Sequence, residues 1–171
     1  MTRTVLQDAF DHHVWATLRL IDVCLALTPE QLATTVPGTY GSILDTMRHL
    51  VGADRSYLAL LSGDRMERID EDASGLAELR TVMAEDGPLW TEVVQGDGDA
   101  ERIVVRHRDD GSESAAPLGI RLVQVVQHGT DHRSQICTAL TTLGIEPPEI
   151  DVWAYAWAQG WLIETPPTDA A

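Results

Sequence analysis

The chain contains no lysine, and all 12 of its basic residues are arginine. Against 27 acidic residues these arginines leave a formal net charge of −15 at neutral pH. A surface with that much negative charge repels the phosphate backbone of DNA and RNA. The composition therefore argues against a nucleic-acid partner, and a well-solvated acidic surface is its simplest explanation.

Cysteines are few, and long apolar runs are missing. Cys24 and Cys137 lie inside helical patterns and form no CxxC pair, which is typical of reduced, buried thiols in a cytoplasmic protein. No run reaches the ~18 apolar residues of a membrane helix, and the N-terminal segment lacks the apolar core of a signal peptide. We therefore expect a soluble, cytoplasmic protein without a membrane partner.

What the chain does contain is helical periodicity. Its 171 residues and 44% hydrophobic content suit one globular domain, residues 1–171. We expect Pro29 to end the first helix and Gly87-Pro88 to kink or break the third. Four long helices are predicted, from Val5 to Leu27, from Ser42 to about Leu61, from about Ser74 across Gly87-Pro88, and from Pro117 to Gly144.

Two shorter elements complete the pattern. Residues 103–107 suit a strand of a small β-hairpin, closed by the turn signal Asp-Asp-Gly at 109–111. Residues 151–162 form a last helical piece with three tryptophans spaced by four, Trp153, Trp157 and Trp161. Their side chains are expected to pack on the bundle rather than line a pocket or a subunit contact. The predicted fold is all-α, an up-down four-helix bundle with a short β-hairpin insertion and a short C-terminal helix.

Two histidines interrupt the apolar face of the last long helix. His128 and His132 stand four apart, so their Cβ atoms lie roughly 5–6 Å from each other on one face. Buried imidazoles need partners, and one metal ion would satisfy both rings. Side chains or water are the alternative partners. The metalloprotease motif does not apply, because Gly129 stands where that motif has its glutamate.

A catalytic metal ion usually has three protein ligands, so another helix must supply the third. His49 lies at the edge of an apolar arc, where periodicity leaves a ligand and a partly buried histidine equally open. His12 and His13 are candidates for a fourth ligand or a proton shuttle, although a pair at the edge of the apolar face is favoured. His107, in the hairpin, is expected to be exposed.

One carboxylate also falls on an inward face. Asp54 lies between Leu50 and Leu58, where a charged group needs a partner such as Arg133 or a metal-bound imidazole. An acid that reaches solvent from the edge of the arc is equally open. Asp131 lies off the inward face and is expected at the surface.

Three stretches of the chain are considered together: HHVWA at 12–16, GSILDTMRHL at 41–50 and HGTDHRSQI at 128–136, the last followed by LGIEPP at 143–148 and by Asp151. They occur in the same order as similar motifs of the DinB-like (DinB/YfiT) superfamily, a group of small metal-binding four-helix bundles. The third stretch is the specific one, and together they span most of the chain. The chain resembles this superfamily, although His12 and His13 replace the aromatic–asparagine pair often found in the first motif.

The resemblance implies a metal triad of one histidine from the second long helix and two from the last. In this sequence these residues are His49, His128 and His132. Three neutral imidazoles suit Zn²⁺ or Ni²⁺ and leave positions open for water or substrate. The resemblance also favours a homodimer.

Some members of the superfamily are thiol-S-transferases, or isomerases that use a low-molecular-weight thiol such as mycothiol or bacillithiol. The resemblance therefore implies a metal-dependent enzyme that activates such a thiol towards a small-molecule substrate. Two alternatives remain, a metal-dependent hydrolase and a metal-binding stress-response protein without catalytic activity.

Overall fold

The computed structural model describes residues 3–63, 66–96 and 98–165. This part of the chain is mostly helical and contains one small antiparallel hairpin. None of the helices described there is both long and apolar enough to span a membrane. The elements are α1 (Val5–Cys24), α2 (Pro29–Leu32), α3 (Ile43–Ser62), α4 (Leu76–Gln95), β1 (Ile103–His107), β2 (Glu113–Pro117), α5 (Leu118–Thr142) and α6 (Val152–Ala158).

Local capping explains where several helices begin. The side chains of Thr4, Ser42 and Asp151 accept hydrogen bonds from backbone N–H groups in the first turns of α1, α3 and α6. The position of Ser42 agrees with the predicted start of the second long helix. Helix α3 ends at Gly63, whose φ of 76° is left-handed and favours glycine.

One proline behaves differently from the prediction, and the other lies within a helix that it does not break. Pro29 does not end the first helix, because α1 already ends at Cys24 and Pro29 is instead the first residue of α2. Pro88 lies inside α4, which continues unbroken to Gln95. Burial of Met83 and Trp90 on either side of Pro88 outweighs the roughly 3 kcal/mol that an internal proline costs.

The long helices form two apolar clusters, one towards each end of the bundle. Leu20 of α1, Met47 of α3 and Leu140 of α5 belong to one cluster. Phe10 of α1 and Leu58 of α3 belong to the other. Between these positions each of the three helices carries buried polar side chains, so a polar layer separates the two clusters. Its members include His13, Thr17, Asp54, His132 and Arg133.

The order of these clusters along the chain gives the direction of each helix. Helices α1 and α5 run from the Phe10 cluster towards the Leu20 cluster, and α3 and α4 run the opposite way. The predicted four-helix bundle with a hairpin is therefore present. Its helices alternate in direction from α1 to α3 and from α4 to α5, but α3 and α4 point the same way.

The hairpin is the predicted one and is joined to the start of α5. Ile103 pairs with Pro117 and His107 with Glu113. Arg121 of α5 donates hydrogen bonds from Nη2 to the carbonyl oxygens of Val104 (3.0 Å) and Ser114 (2.8 Å). The hairpin is thus held against the bundle rather than projecting freely.

The tryptophans of the C-terminal segment do not pack into the bundle. Trp153 and Trp157 are 70% and 62% exposed, and Trp161 is also exposed. The expectation of core packing is therefore wrong for all three. Helix α6 has only seven residues and buries Tyr155, which contacts Trp15 of α1. A spacing of four places the tryptophans together, but it does not decide which face meets the bundle.

Candidate metal centre

Three histidines converge between α3 and α5. His49, His128 and His132 each offer a ring nitrogen within 4.8 Å of the other two. Nε2 of His128 lies 3.2 Å from Nε2 of His49 and 3.1 Å from Nε2 of His132. Metal–nitrogen bonds of about 2.0–2.1 Å place neighbouring imidazole nitrogens roughly 3 Å apart. The spacing of these nitrogens therefore fits three imidazoles around one ion.

The outer nitrogens of two of these rings have oxygen partners. Nδ1 of His49 lies 3.2 Å from Oε2 of Glu71, and Nδ1 of His132 lies 3.0 Å from Oε1 of Gln135. An Nδ1–H that donates to oxygen leaves the lone pair on Nε2, which faces the centre of the triad. The surroundings therefore orient both rings in the tautomer that a metal ion requires.

Tyr40, in the loop before α3, holds the same two rings from the outside. Its ring stacks on His49 with a centroid distance of 4.1 Å and meets His132 edge-on at 5.5 Å. Its backbone N–H donates to Oε1 of Gln135 at 3.0 Å. Neither Tyr40 nor Glu71 was predicted from the sequence, because both lie in connecting segments where no periodicity marks an inward position.

The electrostatic environment keeps the α5 histidines neutral at physiological pH. Burial, followed by the neighbouring His132 and His49, lowers the pKa of His128 to about 4. Burial also lowers the pKa of His132, against the hydrogen bond that its Nδ1–H donates to Gln135, which raises the pKa. A neutral imidazole is the form that binds metal ions, so His128 and His132 require no deprotonation near pH 7.

A fourth histidine, His13, lies in the polar layer and forms a fully buried cluster with Asp54 and Arg133, here called the enclosed cluster. Nε2 of His13 is 2.8 Å from Oδ2 of Asp54, and Nδ1 of His13 is 2.9 Å from Nη1 of Arg133. The three residues are 0%, 1% and 3% exposed. Because Arg133 can only donate, Nδ1 accepts and Nε2–H donates to Asp54. These hydrogen bonds link α1, α3 and α5, and they leave the imidazole of His13 with no nitrogen for a metal ion.

Gly129 leaves space for the His13 ring of the enclosed cluster. A Cβ atom at that position would overlap Cε1 and Nδ1 of His13. The glycine between the two α5 ligand candidates therefore allows close approach of α1. The sequence showed only that a glutamate is missing there.

These contacts correct the expectation for His13 and decide between the two alternatives for Asp54. His13 is not at the edge of the apolar face but fully buried, and Asp54 does not reach solvent. The partner of Asp54 is His13 rather than Arg133 or a triad imidazole, and Arg133 is reached through His13. Periodicity missed this because each residue looks marginal on its own helix, and only packing of three helices brings them together.

The other candidates lie away from the triad. His12 has Nε2 2.8 Å from the carbonyl oxygen of Ile150 and packs on Tyr155. His107 is exposed as predicted and pairs with Glu113 at 2.7 Å. Asp131 is exposed as predicted.

A helical bundle with three convergent imidazoles fits a metal-binding protein of this fold. The sequence profile of the DinB family matches residues 1–168, so the chain belongs to the DinB family. The structure is similar to the crystal structure of a DinB-like protein from Bacillus cereus ATCC 10987, with a TM-score of 0.62 and 18% sequence identity. That match covers 86% of this chain and 98% of the other. A comparison with curated proteins finds no match.

Proposed function

We propose that the protein binds a divalent metal ion, Zn²⁺ or Ni²⁺, through His49, His128 and His132. The observation that carries the proposal is the convergence of three Nε2 atoms, two of them spaced at 3.1–3.2 Å from the third. Imidazole nitrogen is a ligand that both ions accept. The side chain of His49 is 26% exposed, so the site has an open side towards solvent.

The proposed activity is that of a metal-dependent enzyme of the thiol-S-transferase type. An ion at this site would supply a Lewis acid that lowers the pKa of a bound thiol or water. Around it, Glu71 and Gln135 orient two of the imidazoles and Tyr40 covers one side. Family membership supports a low-molecular-weight thiol such as mycothiol or bacillithiol as cosubstrate, and the charge of −15 supports a small-molecule substrate rather than nucleic acid.

Metal analysis tests the first part of this proposal. After reloading with Zn²⁺ or Ni²⁺ and removal of free ions, we expect the wild type to retain a stoichiometric amount of metal and His132→Ala to lose it. His107→Ala is the matched control, because His107 is exposed and lies in the hairpin. No retained first-row metal in the wild type, or equal loss in the control, would overturn the metal site.

Turnover assays test the second part. Metal-loaded protein is expected to consume mycothiol or bacillithiol together with an electrophile, and His132→Ala is expected to abolish the rate. Metal-dependent cleavage of esters without thiol consumption would favour the hydrolase instead. Metal binding without turnover on either panel would favour a metal-binding protein without catalytic activity.

The exposed tryptophans support a proposal about assembly. Trp153 and Trp157 present two large apolar side chains to solvent, and such side chains are enriched in protein interfaces. We expect the protein to be a homodimer in solution. Sedimentation analysis of Trp153→Ser/Trp157→Ser against the wild type measures this, and a monomeric wild type contradicts it.

A further inference from the structure

A second concave site lies beside the candidate metal centre. It has a volume of about 670 Å³ and lies between α3, the connecting segment 66–68 and β1. Three of the 12 arginines of the chain line this one cavity. They are Arg55, Arg68 and Arg106.

Arg106 is the arginine best placed to bind a ligand. Its Nη2 donates to Oγ of Ser56 at 3.1 Å. Within the described parts of the chain no carboxylate forms an ion pair with it. It is only half exposed, so its charge is partly desolvated. A planar guanidinium with unused N–H donors is suited to a carboxylate or phosphate group.

Arg55 also lines the cavity, but its guanidinium is already hydrogen-bonded to other residues of the protein. Its Nη1 donates to Oδ1 of the fully buried Asp86 at 2.6 Å, and its Nε donates to the carbonyl oxygen of Glu67 at 2.9 Å. These bonds fix the wall formed by segment 66–68. Arg68 is exposed and lies 3.6 Å from Asp109 at the rim.

The cavity ends close to the histidine triad. Gly52 lines the cavity, and the side chain of Glu71 packs against it while Oε2 of Glu71 lies 3.2 Å from Nδ1 of His49. His49 and Ser56 are separated by seven residues of α3, which is roughly 10 Å along the helix axis. One carboxylate side chain therefore separates the metal centre from the arginine-lined cavity.

We propose that this cavity binds the oxyanion of an elongated substrate, with Arg106 contacting that group and the other end of the substrate reaching the His49/His128/His132 site. In a chain of charge −15 most of the surface repels anions. Glu67 and Asp109 also line the cavity, but Arg106 forms an ion pair with no carboxylate of the described residues, so its charge is available to attract an anion. The link to the triad rests on the proposed metal function, but anion binding at Arg106 does not.

Calorimetric titration of inorganic phosphate into metal-free protein tests the oxyanion site. We expect the wild type to bind and Arg106→Gln to bind about tenfold more weakly, because a charge-assisted hydrogen bond is lost. Arg108→Gln removes the same charge from the neighbouring turn, where Arg108 bonds Ser112 instead of lining the cavity, and is expected to match the wild type. Ser56→Ala frees Arg106 without changing charge and is expected to give a smaller loss.

Equal affinity of the Arg106→Gln and Arg108→Gln variants, or no binding to the wild type at millimolar phosphate, would overturn the site. Circular dichroism of each variant confirms that a loss of binding is not a loss of fold. Because no metal is present, this result is independent of the proposed metal function.

The connection between the two sites has its own test. Cobalt-loaded protein is titrated with α,ω-dicarboxylates from succinate to sebacate and with the monocarboxylates of the same lengths, while the cobalt absorption spectrum is followed. We expect a longer dicarboxylate to perturb the spectrum at lower concentration than its monocarboxylate, with the advantage lost in Arg106→Gln. Equal potency of both series would overturn the bridging substrate. Failure to load cobalt would instead count against the metal centre.

Discussion

The histidine of the enclosed cluster, His13, and the three histidines of the triad lie close together but have different hydrogen-bond partners. The imidazole of His13 is bonded on both sides, to Arg133 and to Asp54, inside the bundle. The three imidazoles of the triad point Nε2 atoms at one another, and the outer nitrogens of two of them bond to Glu71 and Gln135. Because His13 and His132 are both buried, burial alone does not distinguish a structural histidine from a candidate metal ligand. The two kinds of histidine differ in what their ring nitrogens face: both nitrogens of His13 face a charged side chain, whereas the Nε2 atoms of the triad face one another.

The largest expected effect comes from breaking the enclosed cluster. Asp54→Ala leaves the His13 N–H and the Arg133 charge without a carboxylate in a buried layer, and we expect a loss of about 3–5 kcal/mol in the free energy of unfolding. Urea denaturation measures it. Asp131→Ala, at the exposed position on α5, should stay within about 0.5 kcal/mol of wild type. Similar values for the two variants would show that the enclosed cluster is not structural.

The triad is expected to stabilise the fold only when metal is present. At a free Zn²⁺ concentration of 100 times Kd, linkage adds about 2.7 kcal/mol to the unfolding free energy of the wild type and nothing to His132→Ala. Thermal or urea unfolding of each protein with Zn²⁺ and with a chelator gives the difference. Equal stabilisation of both proteins by Zn²⁺ would place the binding elsewhere.

Gly129 connects the two clusters, since it lies between His128 and His132 and touches His13. Gly129→Ala is expected to destabilise by about 1–3 kcal/mol through overlap with the His13 ring. Alanine would otherwise raise helix stability by up to about 1 kcal/mol. The exposed Gln127→Ala on the same helix serves as the control in urea denaturation. A stabilised Gly129→Ala variant would mean that α1 and α5 do not approach so closely.

Asp86 is a second buried carboxylate, in addition to Asp54. Asp86 pairs with Arg55 through Oδ1, but its Oδ2 has no hydrogen-bond partner among the residues that the structure describes. Burial raises the pKa of Asp86 to about 6, against the opposing charge of Arg55. The folded state therefore binds a proton more tightly than the unfolded state, and this contribution to stability is present below about pH 4 and lost as pH rises to about 6.

We expect the contribution to be at most about 3 kcal/mol, because the folded-state pKa of about 6 already includes the opposing charge of Arg55. The measurement is the unfolding free energy of wild type minus that of Asp86→Asn at several pH values between 4 and 7. A difference that does not change over this range, or that grows with pH in favour of wild type, would contradict the raised pKa.

Part of the site could be read from the sequence because it obeys local rules. A spacing of four places His128 and His132 on one helix face, and the apolar residues around them show that this face is turned inward. The resemblance to the DinB-like superfamily singled out His49, and the structure places that residue beside the pair. The resemblance itself is confirmed by the family match over residues 1–168.

Other parts could not be predicted, since they depend on contacts between distant segments. Tyr40 and Glu71 lie in connections whose path across α3 has no periodic signal. Arg106 and Ser56 are fifty residues apart and meet only because the hairpin folds back on α3. The exposed faces of Trp153 and Trp157 were predicted wrongly for the same reason, because spacing groups residues without assigning the group to core or solvent.

The sequence by itself determined the four long helices, the hairpin and the shared face of His128 and His132, because these follow from turn residues and from the 3.6-residue period. Only the tertiary structure decided which histidine is enclosed and which keeps a ring nitrogen free. That outcome depends on the polar groups that neighbouring helices and loops bring to each imidazole. His13 meets an arginine and a carboxylate from two other helices, whereas His49, His128 and His132 meet one another.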